Sequence, residues 1–252
     1  MEYLKAESLK MKHTAVGKLS CLLPTASAVL AFLLTSSFFQ VDNYCWWYTA
    51  LLPGFLPLIS ILIAQKDKEL GNRAILLVSA DLLKSWRAKT ITGLRLLGIS
   101  NLCVALYGIA GDILMERAGI QSVIQLSIFE CVAGAVILIV TFAWQIPLWM
   151  WVTEKAGVLF AIIVGIVVNE IGMIMFSVKE IWFLNPFAIP ARLMIPVIHV
   201  LPNGLLAREG SETFTWELLS KDVIWQGILI CIVLFIVMEF LTEHWFRRQE
   251  AR

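Results

Sequence analysis

Six long apolar stretches, separated by polar segments, make up most of this sequence. Each approaches the roughly 20 mainly apolar residues that a helix needs to cross a hydrocarbon layer about 30 Å thick. The third and the sixth are slightly short and can be extended by their neighbours. The pattern predicts an all-α membrane protein with six transmembrane helices over residues 19–39, 47–64, 93–110, 124–146, 156–176 and 223–240.

The positive charges between these stretches predict how the chain is oriented. Six crossings put both termini on one side of the membrane, and most of the 20 Lys and Arg residues fall on that side. Cytoplasmic segments of membrane proteins carry such an excess of Lys and Arg. We therefore expect both termini in the cytoplasm, with Trp46 and Trp47 at the outer membrane–water interface.

Composition and motifs exclude several classes of protein. A net charge of +1 on a chain with 59% apolar residues carries no nucleic-acid signature. The sequence has no G-x-x-x-x-G-K-[ST] phosphate loop, no His-Glu-x-x-His pair, no Gly-x-Ser-x-Gly elbow and no C-x-x-C pair. We expect no catalytic, metal or cofactor site in this chain. If the protein uses ATP, another chain must bind the nucleotide and its Mg²⁺.

Residues 1–18 precede the first apolar stretch and carry Lys5, Lys10 and Lys12 beside Leu4 and Leu9. This pattern is typical of an interfacial helix that lies along the inner membrane surface. The alternative is a basic flank that only anchors the first crossing.

Residues 65–92 form the main polar segment on the side of the termini. Ser79 is expected to cap a helix over residues 79–89 by accepting a backbone hydrogen bond, and Asp81 in its first turn complements the helix dipole. An amphipathic helix of this kind is either a handle for a cytosolic partner or a membrane-surface helix. Its apolar face consists of Leu82, Leu83 and Trp86. The charges around that face belong to Lys84, Arg87 and Lys89.

Residues 177–222 form the longest segment on the opposite side. Residues 183–206 are apolar but repeatedly interrupted by proline, so a seventh straight crossing is not expected. Irregular backbone at membrane depth is tolerated only where protein or water covers it. The segment is either a broken helical pair that re-enters the outer leaflet or a loop on the surface, and it contains Pro186, Pro190, Pro196 and Pro202.

Three acids, Glu130, Glu170 and Glu239, fall inside apolar stretches. Such residues usually face a cavity or a partner, because an unpaired charge in a bilayer is costly. Glu239 lies near the inner end and can reach the interface. Glu130 and Glu170 each lie about six residues from the outer end of a stretch, which is about 9 Å deep. They predict an acidic patch in an outward-opening cavity, and the alternative is a packing role.

Several motifs resemble a known family. ESLKMK at residues 7–12 and AILLVSADL at residues 74–82 are similar to the permeases of type-2 ABC exporters, although Val78 stands where those permeases often have a proline. Four shorter matches resemble lantibiotic-immunity permeases of the MutE/EpiE kind: NYCWWYT at 43–49, LLPG at 51–54, RAIL at 73–76 and KSW at 84–86. The specific matches cluster in residues 2–90.

This resemblance implies a subunit of a bacterial exporter in the cell membrane. A dimer of ABC ATPase subunits would power it, and a second, related permease would complete the pore. The cargo would be a cationic, lanthionine-bridged antimicrobial peptide, expelled from the membrane to give self-immunity or resistance. Residues 79–89 would be the coupling helix on the ATPase, and residues 183–206 the re-entrant element near the exit.

Other functions stay open on the sequence alone. They are export of a bacitracin-like drug or a lipid, secondary transport, which predicts inverted repeats, and intramembrane enzyme chemistry. In every case we expect one transmembrane domain over residues 1–252. Its parts are an interfacial helix (1–18), crossings one and two (19–64), a coupling loop (65–92), crossings three to five (93–176), a re-entrant segment (177–222), crossing six (223–240) and a cytoplasmic tail (241–252).

Overall fold

The structure, a computed structural model, describes residues 2–12, 14–68 and 81–248. These residues form α-helices joined by turns and short 3-10 or π segments. The helices are α1 (Glu2–Met11), α2 (Ala15–Thr35), α3 (Phe39–Trp46), α4 (Leu52–Lys68), α5 (Leu82–Arg117), α6 (Ile128–Ala143), α7 (Gln145–Ala156), α8 (Val158–Phe176), α9 (Ile189–Ile198) and α10 (Asp222–Arg247).

Five helical stretches in the described part of the chain are long and apolar enough to cross a membrane. The prediction of an all-α chain is confirmed, and the length and composition of these stretches fit a membrane protein. The stretches are Ala15–Gln65, Leu82–Arg117, Ile128–Ala156, Val158–Phe176 and Asp222–Arg247.

The first of these stretches folds back on itself between α2 and α3. The backbone of Thr35 leaves the helical region at φ −149° and ψ 55°, and the 3-10 turn Ser36–Phe38 follows. The Ser27 hydroxyl on α2 then donates to the carbonyl of Asn43 on α3 at 2.6 Å. Since these two residues lie at similar distances from the turn, α2 and α3 run antiparallel side by side. Through the π segment Trp47–Leu51, the chain continues from α3 into α4.

A polar segment between the first two predicted crossings, over residues 40–46, is helical and largely buried. The sequence analysis placed these residues between two predicted crossings and predicted no helix here. The Gln40 side chain accepts from the backbone N–H of Leu126 at 2.7 Å, and Asn43 donates from Nδ2 to the carbonyl of Val104 at 3.0 Å. Because these amides have partners inside the protein, they do not need water.

Helix α5 is one continuous helix of 36 residues, Leu82–Arg117. The predicted separation into a short helix over residues 79–89 and a crossing from residue 93 is wrong. Its N-cap is Asp81, whose carboxylate accepts from the backbone N–H groups of Leu83 and Lys84 at 3.2 and 3.3 Å. The predicted cap, Ser79, lies outside the described residues.

Helix α1 packs on the first part of α5. The Tyr3 hydroxyl accepts from the backbone N–H of Asp81 at 3.0 Å, and Arg95 donates from Nη1 to the Ser8 hydroxyl at 3.2 Å. The last turns of α10 contact the same part of α5. Helix α1, the beginning of α5 and the end of α10 therefore share one end of the bundle, here named the termini end. The opposite end, with the turns at 36–38, 118–127 and 177–221, is named the loop end.

Many of the largest fully buried side chains belong to α3 and α4, including Tyr44, Phe55 and Ile59. These helices pack against α5 on one side and against α7 and α8 on the other. Small residues permit the closest approaches between membrane helices. At Gly111 on α5, an added Cβ would lie 1.9 Å from Cε1 of Phe39, so a larger residue there would force α3 and α5 apart.

Candidate functional site

The predicted coupling residues at the beginning of α5 are largely packed against α10. Trp86 is 1% exposed, and its Nε1 donates to the hydroxyl of Thr242 at 3.0 Å. Its ring lies 4.8 Å from that of Phe246 and contacts Trp245 edge-on at 6.1 Å. This face of α5 is therefore an internal helix–helix contact, and Trp86 is not exposed for docking a partner.

Two polar contacts extend the junction between α5 and α10. Arg87 forms a bidentate ion pair with Glu243, in which Nε donates to Oε1 and Nη2 donates to Oε2 at 3.1 Å. One turn further, the Thr90 hydroxyl donates to Glu239 at 2.9 Å. These four side chains line a cavity of about 440 Å³ whose other walls are apolar. The sequence analysis placed Glu239 near the interface but gave it no partner, and it did not identify Glu243.

Lys89, another predicted coupling residue, is also buried. Its Nζ donates to the carbonyl of Ile63 on α4 at 3.3 Å, so it links α5 to α4. Exposed positions in the first turns of α5 are Lys84 and Arg87, while Leu82 and Leu83 are half-buried. A partner at this end would therefore meet the first turn of α5 and the outer edge of Arg87.

Asp81 and Lys84 form an ion pair at 3.0 Å on that exposed turn. Hydrogen bonds from Lys84, together with the Leu83 N–H, hold the pKa of the Asp81 carboxyl below its usual value. The cap is therefore charged at neutral pH. Since the pKa of the folded state is depressed, the contribution of this cap to stability is present above the usual carboxyl pKa and is lost as the pH falls.

The proline-rich segment at the loop end contains one buried helix, α9. All ten of its residues, Ile189–Ile198, are buried, and it packs against α6, α8 and α10. Pro190 lies in the first turn, where its missing N–H costs nothing, and His199 ends the helix in a left-handed conformation at φ 56°. A single helix replaces the predicted broken pair, and the alternative of a surface loop is wrong for these residues.

Phe187, directly before α9, contacts two tryptophans of the bundle. Its ring lies 5.0 Å from Trp144 and 6.5 Å from Trp149. Both tryptophans are buried. Pro186, which was assigned to the re-entrant segment, immediately precedes Phe187, and Pro196 lies within the last turn of α9. The segment thus inserts into the bundle on both sides of Pro190.

Arg192 fixes α9 to the remainder of the loop end. Its side chain is 4% exposed and donates from Nη1 to the carbonyl of Leu218 and from Nη2 to the carbonyl of Glu217, each at 2.8 Å. The guanidinium also lies 5.9 Å from the ring centre of Trp182. A cavity of about 670 Å³ borders Arg192, Trp182 and the carboxylate-bearing Glu180.

The two candidate acids of the substrate path have different local environments. Glu130 lies in the first turn of α6, where it forms a capping box with Ser127: each side chain accepts from the other residue's backbone N–H, at 3.2 and 2.9 Å. The predicted depth of about six residues is wrong for Glu130. Glu170 is half-buried on α8. Helix α9 packs against both α6 and α8. The acidic patch between adjacent crossings stays a prediction.

The two candidate tryptophans differ in environment. Trp47 is fully buried, and its Nε1 donates to Asn101 on α5 at 3.0 Å. Trp46 is half-buried and packs against the small cluster of Ala31, Phe39 and Met115 at the loop end. Trp47 is therefore a core residue, while the interfacial position of Trp46 stays a prediction.

A buried amide pair was missed by the sequence analysis. Gln145 and Asn169 exchange two side-chain hydrogen bonds of 2.9 Å, and Trp149 donates from Nε1 to the Gln145 oxygen at 3.0 Å. Gln145 and Asn169 are both fully buried. The sequence signal for this pair was the presence of amide side chains in or beside apolar stretches. In a bilayer such side chains need hydrogen-bond partners within the protein.

Comparisons with protein-family models, with curated proteins and with solved structures give no match.

Proposed function

We propose that this chain is the permease subunit of an ATP-driven exporter that expels a cationic lantibiotic-type peptide from a bacterial cell membrane. The observation that carries the proposal is α9, a short buried helix directly before the last long apolar helix. A re-entrant element at this position is what the resemblance to type-2 ABC permeases implies. The motif matches in residues 2–90 support the narrower assignment to lantibiotic immunity.

The proposal includes six crossings with both termini in the cytoplasm. The antiparallel arrangement of α2 and α3 supports counting the first apolar stretch as two crossings. Helix α1 and the end of α10 lie at the same end of the bundle, as an even number of crossings requires. A reporter fused after Arg252 should then read as internal and one inserted near Glu212 as external. The reverse pattern would contradict this topology.

The proposed docking surface for the ATPase is the exposed first turn of α5, with Asp81, Leu83 and Lys84. The next residues of α5, Trp86 and Arg87, form the contact with α10. A movement of the docked turn would therefore shift the end of α10 together with α5. This arrangement would connect a nucleotide-driven step in a partner chain to the membrane helices.

Copurification with an ATP-binding chain tests the proposal. The tagged protein is isolated from its own membranes in mild detergent, and the retained chains are identified by mass spectrometry. We expect retention of a chain with a G-x-x-x-x-G-K-[ST] loop, together with a second permease. We also expect loss of the ATP-binding chain, with the protein still inserted, in Leu83→Asp. Isolation of the chain alone under conditions that preserve its fold would contradict the proposal.

A further inference from the structure

A basic cavity lies at the termini end, where the turn between α1 and α2 meets α5. It has a volume of about 420 Å³. Three cations from different parts of the chain line it: Lys12 after α1, Lys18 near the beginning of α2, and Arg95 on α5. Among the described residues of its lining there is no Asp or Glu.

The charge of this cavity is not neutralised by the described protein. Lys12 and Lys18 are exposed, and neither forms an ion pair or side-chain hydrogen bond with a described residue. Arg95 donates one N–H to Ser8, which is uncharged, and keeps further donors. Glu7 on α1 already pairs with Lys10 at 2.7 Å. An anion in the cavity would therefore relieve the mutual repulsion of three positive charges.

The backbone at the beginning of α2 adds donors to the cavity. Thr14 has the extended conformation of an N-cap residue, at φ −96° and ψ 163°, but makes no side-chain cap. Its hydroxyl instead donates to the carbonyl of Met11 at 2.9 Å. The first N–H groups of this 21-residue helix thus lack a side-chain acceptor, and Thr14 and Gly17 line the cavity. Helix N-termini with free N–H groups bind phosphate groups.

The cavity continues into an apolar track along α5. Leu96 and Ile99 form its apolar wall, and Leu102 and Leu106 follow on the same helix with 51% and 63% of their surface exposed. A basic pocket above an apolar track matches the headgroup and acyl chain of one lipid molecule, whereas a free phosphate would use only the pocket. Basic pockets between transmembrane helices on the cytoplasmic side bind anionic headgroups.

We propose that this cavity binds the phosphate headgroup of an anionic phospholipid, with an acyl chain along α5. The bound lipid would hold α1 and the beginning of α2 against α5. This function is separate from the proposed export function, because it requires neither an ATPase nor a peptide.

Lipid titration of the purified full-length chain tests the proposal. Melting temperature and lipid retention in native mass spectrometry are measured with phosphatidylglycerol, with phosphatidylcholine and with inorganic phosphate. The target variant combines K12Q, K18Q and R95Q, and the matched control removes three exposed charges at the same end with K5Q, R247Q and R248Q. Each basic residue beside an anionic lipid contributes about fivefold in affinity. We expect phosphatidylglycerol affinity to fall on the order of a hundredfold in the target variant and to be largely kept in the control.

Gly17→Leu provides a second variant that keeps every charge. Gly17 lines the cavity, and a Cβ added there meets nothing within 4 Å, so the position has room for a side chain. Replacing a helical glycine with leucine also favours the helix. We expect this variant to fold and to lose selective phosphatidylglycerol binding.

Three results would overturn the proposal. Equal losses in the target and control variants would indicate general surface electrostatics. Unchanged lipid binding in Gly17→Leu would exclude this cavity as the site. Stabilisation by inorganic phosphate equal to that by phosphatidylglycerol would indicate a free-anion site instead of a lipid site.

Discussion

The two ends of the bundle hold their helices together by different means. At the termini end, Trp86 and Arg87 on α5 contact Thr242 and Glu243 on α10 by side-chain pairs between residues 156 positions apart. At the loop end, Arg192 on α9 binds two backbone carbonyls 25 and 26 positions away. The first arrangement needs particular side chains on both helices, whereas backbone carbonyls are available whatever the acceptor residue.

This difference separates two roles. Helices α5 and α10 are far apart in the sequence but are joined by side-chain pairs. We therefore expect a displacement of one of these helices to move the other. The contacts of Arg192 hold a local segment around α9 at the loop end. We therefore expect substitutions at the termini end to affect both stability and any coupling to a partner, and substitutions at the loop end to act mainly on the segment around α9.

The largest effect on stability is expected for Trp86→Ala. This change removes a buried indole, its hydrogen bond to Thr242 and its ring contacts. Truncating a buried Trp to Ala typically costs about 3–5 kcal/mol. The measurement is the free energy of unfolding in mild detergent, with Trp225→Ala as control because Trp225 is 77% exposed. Equal losses in the two variants would contradict the assigned packing of Trp86.

Arg192→Met should have the next largest effect. Methionine approximates the length of the arginine stem but leaves the carbonyls of Glu217 and Leu218 without their charged donor. Loss of hydrogen bonds to a charged group typically costs about 1.5–3 kcal/mol. Arg208→Met, at an exposed position of the same end, is the matched control. Proteolysis between residues 199 and 221 should accelerate in Arg192→Met only, and unchanged protection would contradict the anchoring role.

Ser127→Ala should destabilise by about 1 kcal/mol, because it removes an N-cap side chain. Glu130→Ala should give a smaller loss, and the double variant should lose less than the sum, since the two residues form one capping box. A double-mutant cycle measured by thermal unfolding checks this expectation. Additive losses would mean that Glu130 acts apart from the cap, and would favour its predicted role in attracting cationic peptide.

The smallest effect on stability is expected for Lys84→Glu. Lys84 is exposed, and its ion pair within the described part of the chain is with the partly exposed Asp81, so the melting temperature should not change measurably. Association with the proposed ATPase, measured by copurification, should nevertheless weaken, because the charge of the proposed docking turn is reversed. Lys179→Glu at the loop end is the control. Normal association in Lys84→Glu would remove this turn from the docking surface.

Hydrophobicity predicted the long helices but not the polar contacts between them. Gln40 and Asn43 interrupt the apolar pattern, and the sequence alone indicated a boundary there. Their partners, such as the carbonyl of Val104 and the N–H of Leu126, are more than 60 positions away. No local pattern reveals such partners, so α3 was not predicted as a helix inside the bundle.

Local capping was only partly predictable. The sequence of residues 127–130 contains the S-x-x-E pattern of a capping box, but the apolar stretch appeared to begin at residue 124, which placed Glu130 too deep. Ser79 and Asp81 are both good N-cap residues, and the structure uses Asp81. By contrast, the position of Pro190 in a first helical turn agrees with the expectation that the proline-rich segment is not a seventh straight crossing.

Survival of cells challenged with a cationic lantibiotic tests the central claim most directly. Cells would express this chain with its copurified partners, either intact or with the ATPase inactivated in its nucleotide loop. We expect protection only when this chain and an active ATPase are both present. We also expect Leu83→Asp to lose protection. Protection by this chain alone, unchanged when the ATPase is inactivated, would contradict an ATP-driven permease and favour secondary transport.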